Sequence, residues 1–181
     1  MGEAHTPFPV KLFIGMLTAR EQLFASCMQR LSDEFGPVEH ESPSWSWDAS
    51  DYYREELGDG IKRKFIFFQQ RIDPGLLPEI KEYSNSLERL FSEKGQNDKP
   101  LRKINIDPGY LTEAKVVLAT TKDYSHRLYI GRGIYAEVTL RYHSRERSFL
   151  PHEFTFPDFR RESYLALFNS MRDSLRRDLK R

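Results

Sequence analysis

The sequence predicts an α+β fold with a largely antiparallel or mixed sheet and helices packed mainly on one face. Three observations predict it: short apolar or alternating runs typical of strands, longer segments with apolar residues at helical spacing, and a first part in ferredoxin-like order. The 181 residues, 39% hydrophobic and 30% charged, are typical of a globular protein. We therefore expect a single domain over residues 1–181, in which residues 1–9 are flexible.

The N-terminal part predicts a strand followed by a helix. Residues 10–17, VKLFIGML, form a nearly continuous apolar run, which predicts a strand buried on both faces. Thr18 and Glu21 have the spacing of a capping box, which opens a helix by satisfying two free backbone N–H groups. Apolar residues then recur at helical spacing, and Gly36-Pro37 is expected to end the helix.

The middle of the chain predicts a strand over residues 61–70 and then a strong helix. Asp73 is placed to cap this helix, and Gly95 is expected to end it. An earlier stretch, SDYYREEL, predicts one or two helical turns. It contains Asp51 and Tyr52, which are candidate ligand-binding residues. An acidic residue at a helix start is equally well explained by the helix dipole.

The C-terminal part predicts a strand-rich meander and a last helix. Strands are expected over residues 102–106, 115–121 and 126–130, and a hairpin joins the last of these to residues 134–143. The final helix is predicted to begin at about Asp158. Its apolar stripe consists of Tyr164, Phe168, Met171, Leu175 and Leu179.

Composition excludes several classes of function. The net charge of +1 gives no whole-protein field for nucleic acid or an anionic membrane. The single cysteine, Cys27, rules out a disulfide or Cys-based zinc site within the chain, and its place on a helical apolar stripe indicates a core residue. Without a run of 18 apolar residues or a secretory signal, the sequence predicts no membrane partner and a cytoplasmic location. It identifies no cofactor.

The hairpin predicted around GRG, residues 131–133, has one polar face. A three-residue loop places Tyr129 opposite Tyr135 and Arg127 opposite Glu137. One interpretation is a solvated face with a modest exposed ion pair. The other is a ligand site, in which Glu137 holds Arg127, the guanidinium binds an anion and the tyrosines form the walls.

A second candidate follows the strand predicted over residues 102–106. Asp107, Pro108 and Gly109 have the chemistry of a turn, since proline fixes φ and glycine adopts positive φ. Asp107 then has two interpretations. It organises the turn, or it transfers a proton, because loops that follow strands often carry functional residues.

The stretch TTKDYSHR contributes three further candidates. Lys122 and Asp123 are candidate ligand-binding residues, although charged residues in a strand connection are commonly solvated. His126 is a candidate general base or metal ligand, although a lone histidine is more often simply hydrogen-bonded. The five histidines are scattered and H-E-x-x-H is missing, so no metal site is predicted.

Three stretches carry a resemblance to a known family: DYYREELG, KINIDPGYLTEAKVVLATTKDYSHRLYIGRGIYAEVTL and FTFPDFRRESY. From about Lys11 to the final helix, the chain resembles a family of uncharacterised prokaryotic proteins defined only as a domain of unknown function. Some members carry the label GTP-binding protein. The residues here do not support that label, because no G-x-x-x-x-G-K-[ST] loop is present and the aspartate of TTKD lies one position early. The resemblance implies a shared fold and no particular activity.

Two hypotheses about function follow. In the first, the protein binds or processes a small anionic ligand such as a nucleotide or phosphate compound. Arg127 and Lys122 would bind the anion, and Asp107 or His126 would transfer a proton if the protein is an enzyme, which the sequence leaves open. In the alternative, it is an RNA-binding or protein-interaction module that uses its basic C-terminal helix, although the helix dipole also explains those cations. The basic residues are Arg160, Arg161, Arg172, Arg176, Arg177, Lys180 and Arg181.

Overall fold

The computed structural model describes residues 1–49, 53–95 and 100–179. In chain order its elements are β1 (Val10–Thr18), α1 (Gln22–Phe35), β2 (Val38–Glu41), β3 (Trp45–Ser46), α2 (Arg54–Leu57), β4 (Lys62–Ile72), α3 (Leu77–Leu90), β5 (Glu93–Lys94), β6 (Pro100–Leu101), β7 (Asn105–Leu111), β8 (Lys115–Thr120), β9 (Leu128–Gly131), β10 (Ile134–His143), β11 (Ser148–Leu150) and α4 (Glu162–Leu179). Short 3₁₀ turns at Pro74–Leu76 and Pro157–Arg160 precede α3 and α4.

Within the described residues the main sheet has nine strands, and every pairing in it is antiparallel. Its order is β11-β10-β8-β7-β1-β4-β2, with β3 paired to β4 and β9 paired to β10. Strands β5 and β6 form a separate two-stranded sheet. The predicted α+β class is confirmed. The part β7-β1-β4-β2, with α1 and α3 in its crossovers, has the β-α-β-β-α-β arrangement that the order of elements predicts.

Helices cover both faces of the central strands. Every residue of β1 is buried, as its continuous apolar run predicts. Two of the three long helices, α1 and α3, pack on one face, where Cys27 lies in the core with Leu12 and Ile14. The last helix, α4, covers the other face, where its residue Phe168 packs against Phe13 with ring centroids 5.0 Å apart. The sheet therefore separates two hydrophobic cores.

The start of α1 differs from the prediction. The Thr18–Glu21 capping box is absent, since Thr18 ends β1 and its hydroxyl donates to the carbonyl of Lys103 over 2.6 Å. The Glu21 carboxylate instead pairs with Lys62 at 2.5 Å, and α1 begins without a side-chain cap. The end of α1 is confirmed at Gly36, whose φ of 88° is in the left-handed region that favours glycine.

The predicted Asp73 cap of helix α3 is confirmed, but the predicted end of this helix at Gly95 is wrong. The Asp73 carboxylate accepts from the backbone N–H of Gly75 over 2.7 Å, although the first turn is 3₁₀ rather than α. Helix α3 ends at Leu90, before the predicted Gly95, because Glu93 already pairs with β6. A tertiary pairing therefore ends the helix before the glycine.

The predicted Asp107-Pro108-Gly109 turn is wrong, since all three residues belong to β7. A Cβ on Gly109 would lie 2.3 Å from the carbonyl oxygen of Val117 and 2.6 Å from Cζ of Phe13. Glycine is therefore needed for the close approach of neighbouring strands and not for a positive φ. Pairing between β7 and β8 begins only at Gly109, so the two strands are unpaired beside Asp107.

The hairpin register is confirmed in its body and differs at its tip. Tyr129 pairs with Tyr135 as predicted, and their rings meet edge to face with centroids 5.4 Å apart. At the tip Ile134 pairs with Gly131, whereas a three-residue loop would pair it with Ile130, and a bulge after Ile134 restores the register. Gly131 has φ of 106°, which explains why glycine occupies this corner.

The last helix begins slightly later than predicted. Asp158 lies in the 3₁₀ turn, and α4 starts at Glu162. The predicted stripe is buried at Tyr164, Phe168, Met171 and Leu175, whereas the side chain of Leu179 lies outside the described part. Over residues 1–49, 53–95 and 100–179, no helix is long and apolar enough to cross a membrane.

Candidate functional site

A cavity of about 350 Å³ lies where β7 and β8 are unpaired, next to the segment that leads into α4. This volume falls in the usual range of about 300–1,000 Å³ for small-molecule sites. Its charged lining residues are Arg63, Asp107, Lys122, Arg127, Glu137 and Asp158. Its aromatic lining residues are Trp47, Tyr53, Tyr124, Phe156 and Phe159.

One wall of the cavity is a buried ion-pair network around Arg63 of β4. The guanidinium donates to Asp158 over 2.9 Å and lies 3.5 Å from Asp107. The indole N–H of Trp47 donates to the same Asp158 oxygen over 3.0 Å. A Cβ on Gly15 would lie 2.9 Å from the Arg63 guanidinium, so glycine in β1 leaves the space that this arginine occupies.

Asp107 is surrounded by hydrogen-bond donors and positive charges. Its carboxylate accepts from the amide of Asn105 over 2.5 Å and lies 3.4 Å from the ammonium of Lys81, which also donates to the carbonyl of Ile106 over 2.7 Å. Burial alone would raise the pKa of Asp107, but the charges of Lys81 and Arg63 and the hydrogen bonds from Lys81 and Asn105 lower it overall. Asp107 is therefore a carboxylate at neutral pH.

A second wall is built around the Arg127–Glu137 pair. The Nε of Arg127 donates to Glu137 over 2.7 Å, and its NH1 donates to the carbonyl of Lys122 over 3.0 Å. Arg127 is 8% exposed and Glu137 is 4% exposed, so the interpretation as a solvated surface pair is wrong. His126 approaches the same carboxylate oxygen of Glu137 at 3.1 Å.

Aromatic rings flank the guanidinium of Arg127. Its central carbon lies 4.5 Å from the ring centroid of Tyr124 and 5.7 Å from that of Phe156. Outside the cavity, His126 stacks on Phe154 with centroids 4.4 Å apart and ring planes within 5°. Both of these residues line a neighbouring groove. Phe156 therefore lines the cavity, whereas Phe154, two positions earlier, lines the neighbouring groove.

A polar cleft of about 370 Å³ adjoins the cavity on the side of α3. In this cleft Arg102 donates to the side-chain oxygen of Asn105 over 3.0 Å and pairs with Glu88 at 3.1 Å. Because Asn105 in turn donates to Asp107, the cleft and the cavity share one connected polar network. The residues that line both are Tyr53, Asp107, Thr120 and Lys122.

The cavity brings together four of the residues predicted from the sequence: Asp107, Lys122, Arg127 and Glu137. The others lie elsewhere. Asp123 is exposed and does not line the cavity, and His126 lines the groove beside it. Tyr129 and Tyr135 contact each other on the hairpin outside the cavity. Asp51 and Tyr52 lie outside the described residues.

Sequence reasoning missed Arg63, Lys81 and Asp158. The signal for Arg63 is its alternation with Phe65 and Phe67 on the buried face of β4, which places an arginine at a core position. Lys81 likewise lies on the buried stripe of α3. Charged residues at core positions need partners, so each of them indicates a buried polar network.

Two basic residues of α4, Arg172 and Arg176, make contacts within the molecule, whereas Arg177 is exposed. Arg172 is buried, and its Nε donates to the carbonyl of Glu113 over 2.6 Å. Arg176 pairs with the carboxylate of the same Glu113 at 2.8 Å. Lys180 and Arg181 lie outside the described part of the chain. Within that part, no group of three or more His, Cys, Asp or Glu side chains could hold a metal ion.

The fold and the cavity define an α+β protein with a ferredoxin-like core and a charged, aromatic-walled cavity at one end of its central strands. The chain belongs to the family described as a domain of unknown function, DUF4416, whose family model matches residues 8–175. No curated protein and no solved structure matches the chain. The predicted family membership is confirmed, and the match includes every described residue that lines the cavity.

Proposed function

We propose that the cavity binds a small anionic ligand such as a nucleotide or another phosphate compound. The observation that carries the proposal is the buried guanidinium of Arg127, which Glu137 holds in place where it lines the cavity. A guanidinium presents several N–H donors in one plane, which suits the oxygens of a phosphate or carboxylate. A group fixed in advance loses little conformational entropy when the ligand binds.

The distribution of formal charge supports an anion on the Arg127 side. There Arg127 pairs with one carboxylate, that of Glu137, and the ammonium group of Lys122 is a second cation in the lining. On the other wall, Arg63 lies between the two carboxylates of Asp107 and Asp158, so its charge is offset within the protein. The anion would therefore lie nearer to Arg127 than to Arg63.

Asp107 is the candidate for proton transfer. Its lowered pKa keeps it ionised at neutral pH, so it can accept a proton from a bound ligand but has none to donate. His126 contacts the site through Glu137 and the ring of Tyr124 but lines the adjacent groove, which makes it the weaker candidate. If the protein is an enzyme, we propose Asp107 as its base.

The alternative, an RNA-binding or protein-interaction surface on the basic C-terminal helix, has less support. Arg172 and Arg176 make contacts within the molecule, and Arg161 donates to the carbonyl of Ser46 over 2.6 Å. Arg172 is 7% exposed, so it presents little surface to the phosphates of RNA, whereas Arg127 lines the cavity. We therefore favour the cavity.

Calorimetric titration with inorganic phosphate, sugar phosphates, nucleotides and a short RNA tests the proposal. Lys122→Gln should weaken binding of the phosphate compounds about three- to tenfold, because it removes one positive charge beside the cavity. Lys115→Gln is the matched control, since Lys115 is also an exposed lysine, lies at the other end of β8 and does not line the cavity. Binding of RNA alone, or an equal effect of the two substitutions, would contradict the proposal.

A further inference from the structure

We infer that the ligand joins an aromatic ring to its anionic group, an inference that rests on the proposed function. The side chains that suit an anion and those that suit a ring meet at one wall of the cavity. Tyr124 and Phe156 both line the cavity, and the guanidinium carbon of Arg127 lies 4.5 Å and 5.7 Å from their ring centroids. An anion bound to Arg127 would therefore place any attached group against these two rings.

Tyr124 and Phe156 are unusually exposed to solvent for large aromatic residues. Tyr124 is 55% exposed and Phe156 is 39% exposed, although each also contacts the guanidinium of Arg127. Aromatic side chains gain stability from burial and from stacking, and each has only two side-chain torsions to immobilise. The guanidinium lies over one face of each ring, and His126 is stacked with Tyr124 with centroids 6.2 Å apart. A planar ligand ring would cover the ring surface that these contacts leave exposed, at a small entropic cost.

The remaining lining of the cavity is suited to the same kind of ligand. Trp47 packs edge to face on Tyr53 with centroids 5.5 Å apart, and its N–H is already bound to Asp158. Leu118 and Ala119 of β8 add aliphatic surface. An anion alone would leave these apolar walls in contact with water, whereas a ring attached to the anion would displace that water.

Phe154 provides a matched control within the same short segment. It is 44% exposed, close to the 39% of Phe156, and lies only two positions earlier in the chain. Its ring stacks on His126 and lines the neighbouring groove instead of the cavity. Substitutions at the two positions therefore remove similar amounts of exposed aromatic surface and differ in which surface they change.

The experiment measures the affinity gained when a ring is attached to an anion. Two pairs of probes are titrated into the full chain: inorganic phosphate against phenyl phosphate, and acetate against benzoate. The ring should strengthen binding about tenfold or more in the natural sequence, and Phe156→Ala should remove most of that gain. Phe156→Leu, which keeps apolar volume without a ring, should have a similar effect. Phe154→Ala should leave the gain unchanged.

The outcomes separate the two proposals. If phosphate binds and the ring adds nothing, the inference is wrong and the proposed function stands. The inference is also wrong, and the proposed function again stands, if the ring strengthens binding but Phe154→Ala reduces this gain in affinity as much as Phe156→Ala does. If none of the four probes binds, both proposals are wrong. Thermal melting of each variant identifies any that fails to fold, and Phe156→Leu then replaces Phe156→Ala.

Discussion

The Nε of Arg127 donates to the carboxylate of Glu137 over 2.7 Å at a site where both residues are almost entirely buried. The two residues flank the turn of the β9–β10 hairpin. The Glu137 carboxylate also lies 3.1 Å from Nε2 of His126 and accepts a hydrogen bond from the Thr139 hydroxyl over 3.4 Å. Removing one residue of such a buried ion pair strongly destabilises the fold, because the other residue is left as a buried charge without its partner.

We predict strong coupling between Arg127→Ala and Glu137→Ala. Each single substitution should lower the free energy of unfolding by about 3–5 kcal/mol, since it leaves one uncompensated buried charge. The double variant should lose less than the sum, by about 0.5–3 kcal/mol, because neither charge remains. Urea unfolding of the four proteins of the double-mutant cycle measures this coupling.

The exposed pair of Arg132 and Glu79 is the control for that cycle. It has a similar separation of 2.9 Å, but both side chains are about half exposed. Its coupling should stay below about 1 kcal/mol, because water and salt screen exposed charges. Additive effects of Arg127→Ala and Glu137→Ala would show that the buried pair is not formed.

Asp107→Asn should destabilise the protein in a pH-dependent way. Asparagine keeps one acceptor oxygen but removes the charge that faces Lys81 and Arg63, so we expect a loss of about 1–3 kcal/mol at neutral pH. Asp123→Asn is the control, since Asp123 is exposed and its substitution should change stability by less than about 0.5 kcal/mol.

The pH dependence of that loss follows from the lowered pKa of Asp107. A carboxyl group whose pKa is lower in the folded state contributes stability that is present above its unfolded pKa, near 3.8. This stability is lost as the pH falls through the folded pKa. The difference in unfolding free energy between the natural protein and Asp107→Asn should therefore be constant from about pH 7 to 5 and shrink below the unfolded value. A difference that stays constant at lower pH would contradict the assigned direction.

Gly109→Ala should be among the most damaging single substitutions in the sheet. The new methyl group would overlap the carbonyl oxygen of Val117 and the ring of Phe13, and the backbone oxygen cannot move without disturbing β8. We expect a loss of about 3 kcal/mol or more, measured by thermal or urea unfolding. Gly2→Ala, which has open space around its Cβ, should be neutral. A mild effect at Gly109 would mean that β7 and β8 are further apart.

Local patterns account for much of the fold. The apolar run of β1 indicates burial on both faces, and the alternation in β9 and β10 places Tyr129 opposite Tyr135. The errors arise where tertiary packing overrides local chemistry. Asp107-Pro108-Gly109 has the residues of a turn, yet pairing with β1 and the close approach of β8 make it a strand.

The same distinction between local pattern and tertiary packing applies to the candidate site. Arg127 and Glu137 could be paired from the sequence because a hairpin brings near neighbours together. Arg63 and Asp158 are 95 positions apart in the chain, so no local pattern could place their side chains 2.9 Å from each other. Only the order of strands in the sheet brings the two walls of the cavity together.

Cys27 should be unreactive in the folded protein. Burial, with a smaller contribution from the charge of Glu88, raises the pKa of its thiol to about 12. Because the thiolate is the reactive form, the native protein should react with a disulfide reagent at about pH 8 at least a thousandfold more slowly than the urea-unfolded chain. Rapid reaction of the native protein would contradict the packing of α1 against the sheet.

Arg172 and Arg177 provide a direct comparison of structural and exposed cations on α4. The guanidinium carbon of Arg172 lies 3.3 Å from the ring centroid of Tyr142, and its Nε donates to the carbonyl of Glu113. Arg177 is exposed. Arg172→Met keeps the aliphatic stem but loses the charge and the donor, so it should cost about 1–3 kcal/mol of unfolding free energy. Arg177→Met should change stability by less than about 0.5 kcal/mol.

Filter binding with a short single-stranded RNA completes the test of α4. A loss of RNA affinity in Arg177→Met at unchanged stability would favour an RNA-binding surface on α4 over the cavity.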